Sequence, residues 1–353
     1  MAVTFDILKG HKDFVTSMLN HPLGVVSGSE DKTVRLWDLR VNRAVKCICG
    51  AIYDDVSCLS QFPGNDNYIC VGCDTSAMIF DLRNTSTIIR DLVTASSCNE
   101  DCVNRIRPVT VDQDKLIAIC DDKGDIVLWN CETNEEDIVI QSVHKSICSD
   151  ILIIPSEEES PLQCFLISRP LILSGGYDQA VYLTDLDGVS KSSWMITPLP
   201  SSLPAVNPPF VTCLARNEMN GNLYCGAMDG SIRFLSNSKD SSGLAAVQPV
   251  ISCHAAGISD LQSFHKQNRH LLLSSANDAL FCIHQEENRL ENLFVEKSRL
   301  ELNWKPNCFV VVGDDVFLGG VSSGILRANV IEMCVFLNAS GTNELRIDGG
   351  EMR

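Results

Sequence analysis

The sixteen residues VVSGSEDKTVRLWDLR, from Val25 to Arg40, decide how this chain is read. An apolar pair is followed by the small residues Ser27, Gly28 and Ser29, then by Asp31 where a tight turn is needed. A second run passes through Val34 and Leu36 to Trp37-Asp38-Leu39-Arg40. Two short apolar runs of β-branched residues, parted by Gly, Ser and Asp, read as two strands joined by a turn. Gly10-His11 lies upstream, ahead of a further apolar run.

The pattern recurs. An Asp is followed six residues later by the end of an apolar strand at Asp31 and Trp37, Asp74 and Phe80, Asp178 and Thr184, Asp229 and Leu235, and Asp278 and His284. Asp122 leads to Trp129 with one residue more, and a seventh copy, from Ser323 to Asn329, has lost the Asp. The strand ends at 37, 80, 129, 184, 235, 284 and 329 are 43 to 55 residues apart. That is slightly above the roughly 40 to 45 residues of one four-stranded propeller blade, so the excess is assigned to loops.

Each copy carries the strands a blade requires. The second has VSCLS at 56–60, YICVG at 68–72 and AMIFDL at 77–82, and the fourth has ICSDILII at 147–154, PLILSGG at 170–176 and AVYLTDL at 180–186. The expected fold is all-β: a seven-bladed WD-repeat β-propeller forming one domain over residues 1–337. VTFDIL at 3–8 alternates as a strand and precedes the first copy, so it is expected to complete the last blade and close the ring without an open edge. Residues 338–353 are read as a disordered tail. Four polar stretches, 156–161, 187–209, 236–244 and 285–301, are read as mobile loops.

Composition narrows the function. With 45 acidic against 28 basic residues the formal net charge is −17, which disfavours phosphate backbones and anionic lipid, so neither nucleic acid nor membrane is expected as a partner. No apolar run approaches a membrane span, and MAVTFDILKGHK lacks the layout of a signal peptide. Most of the seventeen cysteines sit inside apolar runs, where a free thiol packs as a small hydrophobe. Cys70 and Cys73 form the sole C-x-x-C, with no second pair at a zinc-finger distance. The reading is reduced thiols, no metal, no cofactor, and a cytosolic or nuclear location. Asp121, Asp122 and Asp125 lack the alternation and closing Glu of a calcium loop and are assigned to a β-turn. No nucleophile elbow, P-loop or zincin pattern is present, so no catalytic residues are nominated.

Two sets of residues remain. His11, Ser27, Asp31 and Trp37 can form a hydrogen-bonded chain that satisfies buried polar groups, with His144 and His254 as remnants of the same position in later copies. Asp38 with Arg40, and Asp81 with Arg83, end equivalent strands of adjacent blades as Asp-Leu-Arg, on the face opposite the Asp turns. Two adjacent boxes are a less probable accident than one, although each Asp could simply pair with its own Arg on the surface.

Residues 25–40 resemble the signature of WD-repeat proteins that dock onto the adaptor of cullin-4 ubiquitin ligases, the damaged-DNA-binding protein 1 adaptor. The resemblance rests on Ser27, Gly28, Ser29, Asp31, Leu36, Trp37, Asp38 and Arg40; residues 68–83 match more loosely, with Phe80 in place of Trp. It implies a non-enzymatic substrate receptor, one face held by the adaptor through Arg40 and Arg83 and the other free for an unidentified protein target. The region after Val330 departs from the pattern and the long loops differ, which leaves the target open. Two other classes compete. A plain scaffold would leave the boxes inert. An enzyme would need convergent His, Asp or Cys on the innermost strands, which are read as mainly apolar with Ser and Cys.

Overall fold

Short apolar runs interrupted by Gly, Asp and Asn satisfy their backbone groups only by pairing sideways. They do so in a computed structural model that describes residues 5–96, 99–111, 114–133, 135–155, 169–198, 207–239, 245–266, 269–288, 293–330, 333 and 344–346. Seven sheets result, each built on four antiparallel strands. Blade 1 runs outward through Val15–His21, Gly24–Ser29, Thr33–Asp38 and Arg43–Ile48. The inner strands of blades 2 to 7 are Val56–Gln61, Val103–Val111, Cys148–Ile154, Val211–Arg216, Ile258–Lys266 and Pro306–Val312. No helix among the described residues is long and apolar enough to cross a membrane.

Blade 7 takes its outer strand from the other end of the chain. Phe5–Lys9 pairs antiparallel with Ser322–Asn329, from Phe5 opposite Ala328 to Lys9 opposite Gly324. Of the strand expected over 3–8, residues 5–8 are strand and run on to Lys9, while residues 1–4 lie outside the described residues. Leu8 is fully buried and joins Val15, Trp37, Phe317 and Ile325 in the wedge between blades 7 and 1.

The core consists of such wedges between neighbouring blades. Glycine permits the approach. A Cβ on Gly28 would lie 2.3 Å from Val56 Cγ1 of the next blade, and one on Gly319 would lie 2.5 Å from Val15 Cγ1. Every inner strand also carries a register shift after its first residue. The bulged residues are Thr16, Ser57, Asn104, Ser149, Thr212, Ser259 and Asn307, all small and polar. Five of them donate to the carbonyl of the first inner-strand residue of the next blade. Ser149 reaches Val211 O at 2.7 Å, Ser259 reaches Pro306 O at 2.6 Å, Asn104 reaches Cys148 O at 3.1 Å and Asn307 reaches Val15 O at 3.3 Å, while Thr16 bonds Val56 O. In five of the seven blades the bulge therefore turns one side chain into an inter-blade tie.

Three of the stretches read as loops contain strands. Ser190–Met195 is the outer strand of blade 4, and Ser231–Lys239 with Ala245–Ser252 frames residues 240–244. Leu280–Asn288 and Leu293–Glu301 form a hairpin across 285–301. An outer strand shows one face to water, so it is half polar by composition and only its alternation betrays it: Phe294, Ser298 and Leu300 are buried. Residues 156–161 lie outside the described residues. Of the tail, so do 338–343 and 347–353, while Glu344–Arg346 lies parallel to Arg299–Glu301 on the edge of blade 6. Residues 84–90 make a similar excursion, laying Ile88–Ile89 parallel to Cys47–Ile48 of blade 1 before Leu92–Ala95 closes blade 2.

Candidate functional site

The turn between the second and third strands of blade 1 holds Asp31 beside the chain entering the blade. His11 Nδ1 lies 3.0 Å from Asp31 Oδ2, His11 Nε2 lies 2.7 Å from Ser27 Oγ, and Trp37 Nε1 donates to the same Oγ at 2.8 Å. Since Ser27 accepts from Trp37, its own proton points to Nε2, which leaves the histidine proton on Nδ1 for Asp31. Asp31 also accepts from the Lys12 and Thr33 backbones and from Thr33 Oγ1. Burial alone would raise its pKa, but the bonds from His11, Thr33 and Lys12 outweigh it and hold the carboxyl well below the usual range.

His144 and His254 are more than remnants. His144 bridges Asp178 Oδ1 at 2.8 Å and Ser174 Oγ at 3.0 Å, and His254 bridges Asp278 Oδ1 at 3.1 Å and Ser274 Oγ at 2.9 Å. Only the indole is absent, Thr184 and His284 standing where Trp37 stands. In blade 3 the role falls to Asp121, which accepts from Asn99 at 2.9 Å; Asp122, counted from the sequence as the equivalent, instead accepts from Asn104 at 2.7 Å. By register the turn is as long as that of blade 1, with Asp121 in the place of Ser29 and Lys123 in the place of Asp31.

On the opposite face the two Asp-Leu-Arg boxes adopt the same fork. Arg40 Nε and Nη2 meet Asp38 Oδ1 and Oδ2 at 3.0 and 2.5 Å, and Arg83 Nε and Nη2 meet Asp81 Oδ1 and Oδ2 at 3.0 and 2.7 Å. Each Arg backbone N–H also returns to its own Asp. Asp38 is held at about 2 by these bonds from Arg40, so its fork stays charged at neutral pH. The arginine side chains remain outward, 88% exposed for Arg40 and 57% for Arg83. Arg83 also donates to Tyr68 OH at 2.6 Å and lies over that ring. Lys46 of blade 1 donates to Asn84 O, tying the segment after Arg83 to the first blade.

The central channel departs from its expected apolar lining. Arg105 and Arg107 of blade 3, Asp150 of blade 4, Arg216 of blade 5 and Asp260 of blade 6 all border a cavity of about 440 Å³. Arg105 Nε binds Asp150 Oδ1 at 2.8 Å. Burial would lower its pKa, but Asp150 and Asp260 more than reverse that and raise it. Both aspartates also accept backbone N–H groups of the following blade, Asp150 from Leu214 and Asp260 from Phe309. A signal was available: Ser149-Asp150-Ile151 and Ser259-Asp260-Leu261 recur at one repeat position, and Arg105-x-Arg107 falls on an inner strand.

The remaining nominations resolve as structure. Cys70 and Cys73 lie three apart on the strand Tyr68–Cys73, hence on opposite sides of it, and both are buried. Asp121 and Asp125 bond within their own turn and to Ser142 N.

Known proteins bear on this geometry. The family model "WD domain, G-beta repeat" matches residues 3–38, the closing strand and most of blade 1. The solved structure of U3-55K aligns with a TM-score of 0.68 at 13% identity, covering 92% of this chain and 98% of that one, and so speaks to the fold alone. The chain is a seven-bladed β-propeller whose first blade matches a WD repeat. It is 24% identical over 250 residues to the WD repeat-containing protein 53 homolog of Dictyostelium discoideum, across 64% of this propeller and 62% of that protein. It is 23% identical over 222 residues to Protein NEDD1 of Homo sapiens, across 62% of this propeller and 30% of that protein. The propeller therefore spans less than two thirds of the length of these curated relatives.

Proposed function

We propose that this propeller is a substrate receptor of a cullin-4 ubiquitin ligase, docked on the damaged-DNA-binding protein 1 adaptor through Arg40 and Arg83, with an unidentified protein target on its other face. What carries the reading is the duplicated fork. Two neighbouring blades end their third strands with the same Asp-Leu-Arg, and each Asp grips one edge of a guanidinium whose side chain stays exposed. A guanidinium already oriented loses less freedom on binding, and its planar set of donors suits an acidic or carbonyl-lined partner.

WD-repeat propellers are in general non-enzymatic interaction platforms, and the reading assigns this one no cofactor or metal. The net charge of −17 argues against nucleic acid or a membrane as the partner. The fourteen cysteines among the described residues are all free, in keeping with a reducing compartment, cytosol or nucleus. A second reading, a scaffold with no ligase link, draws on the same pairs: an inert box would also satisfy its Arg with its own Asp.

Co-purification separates the two. The double change Arg40→Ala and Arg83→Ala is expected to leave the melting temperature within a few degrees and to weaken adaptor recovery about 30-fold or more. Arg40→Lys with Arg83→Lys should fail nearly as badly, because Lys keeps the charge and loses the fork. Equal recovery by wild type and double mutant makes the boxes inert, and no recovery by either leaves the scaffold.

A further inference from the structure

The register of the inner strands divides the channel into layers. In five of the blades the residue just after the bulge lines the cavity, as Ser17, Arg105, Asp150, Asp260 and Cys308, so that this layer sets one guanidinium against two carboxylates. Two residues further along, Arg107 is a cation beside Ser60, Leu152, Ala215, Gln262 and Val310. Arg216 ends its strand opposite Leu223, which places it at the mouth on the face that carries Arg40 and Arg83.

Charge in this half of the channel does not balance. Asp150 Oδ1 already serves Arg105 at 2.8 Å and the Ile151 backbone at 2.9 Å, and Oδ2 serves Leu214 N. Arg107 reaches that carboxylate only at 3.5 Å, and it also contacts Ile106 O at 3.4 Å. Burial accordingly pushes the Arg107 guanidinium below its ordinary pKa, in contrast to Arg105. Among the described residues Arg216 has a single ion pair, 3.7 Å to Glu218, a side chain 76% exposed and free to swing away. With Arg105, Arg107 and Arg216 against Asp150 and Asp260, the lining carries one cation in excess, and the excess falls at Arg107 and Arg216, where a phosphate oxyanion can pair with both.

We propose that the lower half of the channel is a binding site for a small phosphate-bearing molecule, held by Arg107 and Arg216. A cavity of about 440 Å³ falls in the range of small-ligand pockets, and its ring of seven inner strands admits a ligand only along the axis. The acidity of the whole chain repels anions elsewhere, so retention here requires the local pair.

The test is calorimetric titration of the full chain with pyrophosphate at low ionic strength. One saturable site per chain is expected, weakened about tenfold or more by Arg107→Gln and by Arg216→Gln and unchanged by Arg40→Ala with Arg83→Ala. If Arg107→Gln does not fold, Arg216→Gln decides, its integrity checked by thermal melting. No saturable heat with wild type, equal binding by the folded glutamine variants, or loss in the surface double mutant each overturns the site. A phosphoserine peptide binding more tightly than pyrophosphate overturns the small-molecule assignment.

Discussion

At the scale of single residues, the repeat shows what happens when one member of a hydrogen-bonded chain is replaced. His284 occupies the place of Trp37 but is sealed in blade 6, and burial together with the nearby His254 lowers its pKa from 6.5 to about 3. It is neutral when folded and takes a proton when unfolded, so its contribution is complete above about pH 6.5 and drains away as pH falls toward 3. The slope is about 1.4 kcal/mol per pH unit. Between pH 6.5 and 5 the wild type should therefore lose about 2 kcal/mol more than His284→Thr, a change that copies Thr184 of blade 4. Parallel denaturation curves for the two would refute the assignment. Trp37 is the opposite case, fully buried with its N–H satisfied. Trp37→Ala is expected to cost about 3 to 5 kcal/mol, read as a lower urea midpoint, and a variant of wild-type stability would contradict it. His11, Ser27, Asp31 and Trp37 were legible because their spacing is periodic. The charges of the channel were legible only in part: Asp150, Asp260 and Arg105-x-Arg107 stand on inner strands, but only the ring brings Arg107 and Arg216 into one space.

Elements show the same division. Second and third strands are buried on both faces and read as continuous apolar runs, so Tyr68–Cys73 and Leu171–Gly176 appear in the sequence almost residue for residue. Outer strands such as Ser190–Met195 and Leu293–Glu301 are half solvated, and their Ser, Lys and Glu disguise them as loops. The closing strand is the element on which the ring depends. Removing residues 1–9 exposes the edge of Ser322–Asn329 and uncovers the wedge that Leu8 fills. Light scattering and thermal melts should show aggregation or a sharply lower midpoint, and an unchanged melting temperature would show that closure is dispensable.

For the molecule as a whole, the periodic Asp turns were enough to count blades, because a blade buries its faces only against its neighbours and the ring must close. What the period could not convey is how the blades are tied, since Ser149 and Ser259 become linkers only when the bulge turns them toward the next blade. A closed body carrying −17 also repels itself. Raising ionic strength should screen that repulsion and raise the melting temperature, measured by calorimetry in sodium chloride; a fall would mean that the surface ion pairs outweigh the net charge.

Phe5–Lys9 leaves the ribosome ahead of the other strands of the ring, yet its partner Ser322–Asn329 emerges more than three hundred residues later. At about 5 to 20 residues per second the first-made strand waits roughly 15 to 60 seconds for a mate. Throughout that time six blades can pair internally while the ring stays open at one seam. The seam is the place where a nascent-chain chaperone has most to protect, and where a bulky N-terminal fusion does most harm.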